Sequence, residues 1–353
     1  MANILHSSQA YEDWLREELR GEIVEKDLER KHAKMRNSAF AFLRASYWRW
    51  AETALVICPE LATAPALLAV GDIHLENFGT WRDTDGRLIW GVNDFDEAAE
   101  MPYALDLLRL ATSALVAEAR VAADDACAAI LAGYRQGLDN PMPVVLERDR
   151  AWLRELVVVP EKDRAKFWKK IEAATIEPAP ERYRKVLAEA MPEPSLEVKT
   201  ARRVAGAGSL GRPRWVGRLD NWRGGPVVRE AKALLVSSWY RVHSPGTGKI
   251  SCAAMAGARH RAPDPWYAVR DDIVVRRLSP NNRKIEAEDE AFAEVSVAML
   301  EVMGLELANV HLGSREASPI TADLADRKEG WLAGLAKKMA KATTADYREF
   351  CRH

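Results

Sequence analysis

Two clusters of polar residues flank a short stretch that has the sequence of a β-hairpin. The first cluster lies in the run Gly-Asp-Ile-His-Leu-Glu-Asn-Phe-Gly at 71–79, and the second lies in Asn-Asp-Phe-Asp-Glu at 93–97. Between them, segments rich in aromatic and β-branched residues are separated by Asp85-Gly86, and an Asp-Gly pair in that position predicts a tight turn. Because a hairpin brings its two ends together, the sequence predicts that the two clusters lie side by side.

The residue types in these clusters are those of a site for a hard cation. Asn77 and Asp94 offer the amide and carboxylate oxygens that hold Mg²⁺ together with substrate phosphates. Asp72 lies apart from the pair nearest the metal and is the candidate to accept a proton from an attacking hydroxyl. One alternative is that these residues only form turns and caps, as Asp and Asn often do. A metallophosphoesterase is another, since its Asp-x-His opening is present, but the later motifs of that class are absent.

A second candidate element is a run of glycines between two strand-like segments. Glycines at this spacing let backbone N–H groups approach phosphate oxygens closely. The candidate phosphate-binding residues are Gly206, Gly208, Ser209 and Gly211. Pro213 and a further strand-like segment follow, and no helix, so the pattern favours a hairpin lid over a dinucleotide-binding turn. A flexible loop is the alternative.

A lysine follows on the next strand-like segment. Residues 227–231 have the composition of a strand and lead directly to Lys232. A strand lysine behind a phosphate-binding loop suits pairing with the α- and β-phosphates of a nucleotide. An ordinary surface charge is the alternative, and it is weakened because the lysine and the glycine run occur together.

Three further residues are candidates for supporting roles. Asp106 lies near the start of an apolar helix, where it either favours the helix dipole or hydrogen-bonds the backbone of the first cluster. Arg44 lies within an aromatic helix, and a structural ion pair is favoured over a phosphate contact. We expect His74 to order its loop by hydrogen bonding more than to act as a metal ligand or a base.

Composition excludes several classes of protein. The 353 residues contain 51 basic and 52 acidic side chains, which argues against a strongly basic surface for nucleic acid. No apolar run reaches the ~18 residues of a membrane span, and the first residues lack the pattern of a secretory signal. The four cysteines form no Cys-x-x-Cys pair, so we expect neither a zinc knuckle nor a disulfide framework. We therefore expect a cytoplasmic protein with no membrane and no nucleic-acid partner.

The patterns of apolar residues predict an α+β protein in three parts. These are a helical lobe at 1–199 that contains the hairpin, a strand-rich lobe at 200–285, and helices at 286–353 that pack back on the first lobe. Helical patterns cover 9–57, 103–137, 145–190 and the stretch from 286 onward; strands are predicted at 203–205, 214–219, 227–231 and 273–278, and an irregular insertion at 244–265.

These motifs resemble a bacterial family of unassigned function that is related to protein kinases. The shared signature contains Phe-x-Phe-x-Arg, Gly-Asp-x-His-x-x-Asn-Phe-Gly, Asn-Asp-Phe-Asp-Glu, Asp-Leu-x-Arg-Leu-Ala, Gly-x-Gly-Ser-x-Gly and a strand lysine, and it runs from about Met35 to Leu278. The catalytic loop and its following Asp-Phe are similar, more distantly, to those of aminoglycoside and choline kinases. The resemblance implies that Asp72 orients an acceptor hydroxyl and that Asn77 and Asp94 hold Mg²⁺, with Asp96 as an extra ligand.

The order of the motifs departs from that of kinases. In kinases the glycine loop and the lysine precede the catalytic loop, whereas here they follow it. The resemblance therefore implies a circularly permuted, two-lobed kinase-like fold, in which a helix over 288–312 packs where the helix before the catalytic loop usually lies. The helix at 40–50 is a rival for that place. Lys232 also lacks an evident glutamate partner, for which Glu288, Glu290 and Glu294 are candidates.

These features together predict an ATP- and Mg²⁺-dependent phosphotransferase. The absence of an Ala-Pro-Glu segment favours a small-molecule hydroxyl acceptor over a protein. Two alternatives stay open, a kinase-like nucleotide-binding regulator without turnover, and transfer of AMP on the same scaffold.

Overall fold

Breaks at proline, glycine and polar residues divide this chain into many short elements. The computed structural model describes residues 2–117, 119–285 and 295–353. Its helices are α1 (Ile4–Glu18), α2 (Glu25–Met35), α3 (Ala39–Ala45), α4 (Tyr47–Ile57), α5 (Ala104–Val116), α6 (Ala123–Asp139), α7 (Ala151–Val157), α8 (Glu161–Glu172), α9 (Glu181–Glu189), α10 (Ser238–His243), α11 (Cys252–Ala256), α12 (Val297–His311), α13 (Ala317–Asp326) and α14 (Trp331–Cys351). Its strands are β1 (Ala66–Ala69), β2 (Phe78–Arg82), β3 (Leu88–Val92), β4 (Ala99–Pro102), β5 (Val144–Val145), β6 (Lys199–Arg202), β7 (Arg214–Trp222), β8 (Gly225–Ala233), β9 (Ala268–Arg270) and β10 (Ile273–Leu278). The α+β class is confirmed.

The predicted hairpin is present as β2 and β3. Its strands pair antiparallel, with Phe78 opposite Val92. The turn forms because Asp83 Oδ1 accepts hydrogen bonds from the backbone N–H groups of Asp85 and Arg87, while Gly86 adopts a φ of +78°. The two polar clusters therefore lie at the same end of this ribbon.

A second ribbon supports the first cluster. β1 pairs antiparallel with β4, so the chain enters the cluster from β1 and leaves the second cluster into β4. The loop at 70–77 and the loop at 93–98 are thereby fixed at both ends by strand pairing. This arrangement places the polar side chains on a rigid frame.

A five-stranded antiparallel sheet forms later in the chain, with strand order β6-β7-β8-β10-β9. The strand predicted at 273–278 is found with those bounds. The strand predicted at 203–205 is wrong, since β6 covers Lys199–Arg202 instead. The chain leaves the sheet there because it must form the loop to β7, although the N–H of Arg203 still donates to the carbonyl of Arg214 at 3.0 Å.

Helices α6 and α12 pack very closely against each other. A Cβ on Gly133 would lie 1.7 Å from the carbonyl oxygen of Glu301, and one on Gly304 would lie 2.1 Å from that of Ile130, so glycine is required where α6 and α12 cross. The helix predicted at 103–137 is two helices, α5 and α6.

Other predictions concern the later part of the chain. Of the helix predicted over 288–312, the described part runs from Val297 to His311, and positions 288–294 lie outside the described residues. The segment 244–265, predicted as irregular, contains the short helix α11. All four cysteines are free. Within the described ranges, no helix has both the length and the apolar character needed to cross a bilayer.

Candidate functional site

The side chain of Asn77 joins the two polar clusters. Its amide nitrogen donates to the backbone carbonyls of Asp72 at 3.1 Å and Asp94 at 3.0 Å. Because both amide hydrogens are used in this way, the amide oxygen Oδ1 is left over, and it is buried without a hydrogen-bond partner among the described residues. Asp72, Asn77, Asp94 and Asp96 line one cavity, which we call the hairpin cavity.

A buried carboxylate supports the first cluster from behind. Asp106 accepts hydrogen bonds from the backbone N–H groups of Val70 at 2.7 Å and Gly71 at 3.0 Å. His311 contacts the same carboxylate at 3.0 Å and is itself hydrogen-bonded to the hydroxyl of Tyr134 at 2.7 Å. This geometry is the one that the predicted supporting role of Asp106 requires.

Gly71 allows the two clusters to approach each other. Its φ is +77°, a conformation that favours glycine. A Cβ at this position would lie 2.3 Å from the carbonyl oxygen of Glu97 and 2.7 Å from the hydroxyl of Tyr47. Any other residue would therefore push the second cluster away from Asp72.

The five-stranded sheet contributes Lys232 to the same site. Its ammonium nitrogen lies 2.6 Å from Asp96 Oδ2 and 3.5 Å from Asp94 Oδ1, and the residue is 2% exposed. No glutamate partner for Lys232 was evident from the sequence, and among the described residues its ion-pair partners are these two aspartates. Glu288, Glu290 and Glu294, the candidate partners, lie outside the described residues.

The surroundings shift the pKa values of Asp94 and Asp96 in opposite directions. Burial alone would raise the pKa of Asp94, yet the positive charges of Lys232, Lys284 and Arg276 lower it well below its usual value. Burial and then the charge of Asp94 raise the pKa of Asp96, against the opposing effect of Lys232. Asp94 is therefore the carboxylate held in the ionised form, which is the form that binds a cation.

The predicted glycine loop covers the hairpin cavity. Gly206, Gly208 and Ser209 line it, and a Cβ on Gly208 would lie 3.3 Å from Asp72 Oδ2. The ammonium group of Lys31 donates to the carbonyl of Gly208 at 2.9 Å and so ties the loop to α2. In this state the loop rests on Asp72, and the cavity beneath it measures about 70 Å³.

The last two residues of the predicted loop have different surroundings. Ser209 Oγ accepts a hydrogen bond from Arg214 at 2.6 Å. Gly211, which the sequence predicted to bind phosphate, does not line the hairpin cavity. Its carbonyl accepts the N–H of Val24 at 2.9 Å, and a Cβ there would lie 2.8 Å from Leu28, so Gly211 anchors the loop to the N-terminal helices.

Arg109 holds Asp72 in place. It lies in α5, is 1% exposed, and donates to the carboxylate of Asp72 and to the carbonyl of Leu43. Its guanidinium also stacks 5.1 Å from the rings of Tyr47 and Trp50. Burial raises the pKa of Asp72 to about 7, although Arg109 acts in the opposite direction. A carboxyl group with that pKa is suited to accept a proton near neutral pH.

Glu97 connects the second cluster to the glycine loop and to α10. Its carboxylate accepts hydrogen bonds from Arg212 at 2.9 Å and from the backbone N–H of Ser238, at the start of α10, at 2.6 Å. Arg212 follows Gly211 directly and also lies 3.7 Å from Asp96. A single buried arginine therefore links the end of the loop to both acids.

His74 and Arg44 order the first cluster. His74 Nδ1 accepts a hydrogen bond from the backbone N–H of Glu76 at 3.2 Å. Burial, followed by the charge of Arg44, lowers the pKa of His74 well below its usual value, so the ring is neutral. Arg44 forms an ion pair with the buried carboxylate of Glu76 at 2.5 Å, the structural pairing that the sequence favoured.

The sheet contains a second buried acid, Glu230, beside Lys232. Three arginines contact its carboxylate: Arg203 at 2.8 Å, Arg214 at 2.9 Å and Arg276 at 2.8 Å. Glu230 is fully buried, and although burial acts against it, these arginines lower its pKa well below the usual value. One negative charge thus meets three positive ones, which leaves a surplus of positive charge on this face of the sheet.

The donor atoms of the hairpin cavity fit a Mg²⁺ ion. The unpartnered oxygen of Asn77 and the ionised carboxylate of Asp94 belong to the hard oxygen ligands that Mg²⁺ takes together with phosphates. Within the described part of the chain, no group of three or more His, Cys, Asp and Glu side chains is arranged to hold a metal by itself. Such an ion would take the rest of its coordination from water or from a bound ligand.

Several residues of the site were not predicted. Arg109 and Glu97 stand within the recognised motifs but received no role, and Arg212 follows the glycine run directly. Their positions within or next to the motifs are the sequence signal that could have assigned these residues to the site. Lys31 and Lys284 have no local signal, because each reaches the site from a segment distant in sequence.

Comparison with known proteins places the chain in one family. The sequence profile of a family described as an uncharacterized protein conserved in bacteria (DUF2252) matches residues 23–154 and 145–353. The chain belongs to this family. No curated protein and no solved structure matches it.

Proposed function

We propose that this protein is an ATP- and Mg²⁺-dependent phosphotransferase, with a circularly permuted kinase-like fold, that acts on a hydroxyl group of a small molecule. The observation that carries the proposal is the buried amide of Asn77. Its nitrogen is committed to the backbone carbonyls of Asp72 and Asp94, so its buried oxygen is left without a hydrogen-bond partner among the described residues and would hold Mg²⁺ together with the carboxylate of Asp94.

The order of the glycine loop and Lys232 along the five-stranded sheet supports the proposal. The glycine loop joins the first and second strands, β6 and β7, and Lys232 lies on the third, β8. A glycine loop that covers phosphates and a lysine on the third strand are the arrangement found in protein kinases. Here this unit follows the hairpin in the chain, and we attribute that inverted order to circular permutation.

The proposed roles follow from the contacts. Asp72, fixed by Arg109, would orient the acceptor hydroxyl and take its proton, while Asn77 and Asp94 would hold Mg²⁺. When bound, the metal would neutralise charge on the phosphates. Lys232 would pair with the phosphates after leaving Asp96, and the backbone of Gly206–Ser209 would cover them. Rate acceleration in such a site comes mainly from alignment and charge stabilisation.

The glycine loop must move for this reaction. Because Gly208 rests against Asp72 and the cavity beneath is about 70 Å³, a triphosphate requires the loop to lift from the hairpin. The hydrogen bond from Lys31 to Gly208 would break in that motion.

Two radioactive labels test the proposal. The full chain is incubated with Mg²⁺, a panel of sugars, amino alcohols and nucleosides, and ATP labelled in either the γ- or the α-phosphate. We expect the γ-label to appear on a small molecule or as inorganic phosphate, to require Mg²⁺, and to be lost in Asp72→Asn. The matched control is Asp139→Asn, which changes an exposed aspartate at the end of α6.

Each other outcome has a defined meaning. Transfer of the α-label to an acceptor would identify an AMP transferase and contradict phosphoryl transfer. Binding of Mg–ATP with no release or transfer of either label would identify a regulator. The ion pairs of Lys232 with Asp96 and Asp94 favour this second candidate, because the lysine is then occupied by acids within the site.

A further inference from the structure

A second cavity adjoins the hairpin cavity and differs from it in volume and lining. It is bounded by the end of β10 and by the hairpin, and we call it the β10 cavity. Its volume is about 250 Å³, compared with about 70 Å³ for the hairpin cavity. Lys284 lines both cavities, so they meet at this side chain. The β10 cavity therefore offers room for an organic group next to the proposed phosphate site.

Flat side chains form part of the wall of the β10 cavity. On the hairpin side the guanidinium of Arg261 lies over the rings of Trp81 and Phe95, at 5.3 Å and 4.7 Å from their centroids, and the half-buried ring of Phe167 lies on α8. Aromatic rings and guanidinium groups both bind the faces of other planar groups by stacking. The shape and chemistry of the wall suit a ligand with a planar ring.

The lining of the β10 cavity carries more positive charge than its acids balance. Three of its arginines each have an acid of their own: Arg261 with Glu306 at 3.2 Å, Arg277 with Asp264 at 2.9 Å, and Arg283 with Asp163 at 3.0 Å. Arg203 and Arg276 instead share Glu230 with Arg214. Two positive charges are thus uncompensated at this carboxylate, and an anionic ligand would balance them.

A hydrogen-bond acceptor also remains open in this region. Asn93 lines the β10 cavity, and its Oδ1 is buried without a hydrogen-bond partner in the part of the chain that the structure describes. Leaving a buried acceptor unpaired is unfavourable. A ligand that carries an N–H donor on its ring would satisfy it.

We infer that the β10 cavity binds a small anionic molecule with a planar, N–H-bearing ring, of the chemical class of a nucleoside phosphate, and that Arg203, Arg276 and Asn93 recognise it. The inference rests on the proposed function only in placing the anionic group toward Lys284. The same chemistry has two sources, the nucleotide of the proposed reaction or a separate small molecule, and the experiment below distinguishes them.

Calorimetry on the full chain in the presence of EDTA tests the inference with three probes. AMP carries both features, adenosine lacks the anion, and ribose 5-phosphate lacks the ring. We expect AMP to bind at least about tenfold more tightly than either of the others, since one charged hydrogen bond is enough for that factor. Binding of AMP that is no tighter than that of ribose 5-phosphate would overturn the inference.

Substitutions assign the binding to the cavity. Arg203→Ala is expected to weaken AMP about tenfold and to leave adenosine unchanged, because Glu230 keeps Arg214 and Arg276 and the fold is retained. Asn93→Ala is expected to weaken both AMP and adenosine. Arg202→Ala is the matched control, since this neighbouring arginine is 57% exposed and does not line the cavity.

The outcomes separate this inference from the proposed function. Equal effects of Arg203→Ala and Arg202→Ala would overturn the β10 site, whatever the labelled-ATP experiment shows. If Mg²⁺ with a non-hydrolysable ATP analogue displaces AMP, the ligand is the reaction's nucleotide; if both bind together, it is a separate molecule. Because the AMP measurements contain no Mg²⁺, they succeed or fail independently of phosphoryl transfer.

Discussion

The hairpin and the five-stranded sheet bury charge in opposite ways. The hairpin contributes a concentration of acids, Asp72, Asp94 and Asp96, whose positive partners come from elsewhere in the chain. The sheet instead surrounds the single acid Glu230 with three arginines. Lys232 brings a positive charge from the sheet to the acids of the hairpin.

The contrast between the charges of the hairpin and those of the sheet explains how the site is assembled. Each region is left with unbalanced charge when considered alone, and the two surpluses have opposite sign. Packing the sheet against the hairpin pairs Lys232 with Asp94 and Asp96, so the site and this contact have a common electrostatic origin, while Arg203 and Arg276 at Glu230 line the β10 cavity. The substitutions below are designed to unbalance one region at a time.

The largest effect is expected on the hairpin side, for Asp72→Asn. We expect the rate of phosphoryl transfer to fall by about 10³-fold, because the proton acceptor is lost while the amide still contacts Arg109. The Kd for Mg–ATP should stay within about twofold of the wild-type value, since Asp72 does not bind the metal in this account. Steady-state kinetics and calorimetry measure the two quantities. Unchanged turnover would remove Asp72 from its role.

On the sheet side, Glu230→Gln is expected to lower the free energy of unfolding by about 3 kcal/mol, because three arginines lose the buried carboxylate they share. Urea denaturation measures this change. Glu197→Gln, an exposed glutamate just before β6, is the matched control and should have little effect. A loss below about 0.5 kcal/mol for Glu230→Gln would show that the arginines do not depend on this acid.

The stability of the protein is predicted to depend on pH through Lys31, which ties the glycine loop to α2. Burial, followed by the charge of Arg212, lowers the pKa of Lys31 from 10.5 to about 7. Between these values the unfolded chain keeps a proton that the folded chain has lost, so stability should rise with pH above about 7. Relative to Lys31→Met, the wild-type free energy of unfolding should increase by about 1 kcal/mol from pH 7 to pH 8.

The exposed Lys34 on the same helix provides the control for this experiment. Lys34→Met should run parallel to the wild type across the whole pH range. If Lys31→Met also runs parallel, the ammonium group keeps its ordinary titration and the predicted dependence is absent.

The smallest effect is expected for an exposed ion pair on the same sheet. Asp220 contacts Lys199 at 2.5 Å and Arg218 at 2.6 Å, and its side chain is 45% exposed. Because solvent screens such pairs, Asp220→Asn should change the free energy of unfolding by less than about 1 kcal/mol. A loss as large as that of Glu230→Gln, measured by the same urea titration, would contradict the distinction between buried and exposed charge.

The same contrast explains which features could be predicted from the sequence. The hairpin was predictable because its signals are local, an Asp-Gly turn between two strands and polar residues at both ends. Ser38, just before α3, carries an equally local signal, since serine favours the N-cap position, and its Oγ accepts the N–H of Ala41 at 3.0 Å. Strand patterns in the sheet were located well at β10, but at β6 the chain departs from the sheet earlier than the apolar residues suggest.

The partners of the site residues were harder to predict because they are distant in the chain. Arg109 reaches Asp72 from α5, and Lys31 reaches Gly208 across most of the sequence. A buried charge has no periodic pattern of its own, so its partner follows only from the packing of elements. The three arginines around Glu230, which come from β7, β10 and the glycine loop, illustrate this dependence.

A crystal structure with Mg²⁺ and a non-hydrolysable ATP analogue tests the central claim most directly. We expect a metal bound to Asn77 Oδ1 and the carboxylate of Asp94, with phosphates beneath a lifted Gly206–Ser209 loop and in contact with Lys232. Phosphates bound elsewhere, or a metal that contacts neither Asn77 nor Asp94, would contradict the proposed phosphotransferase site.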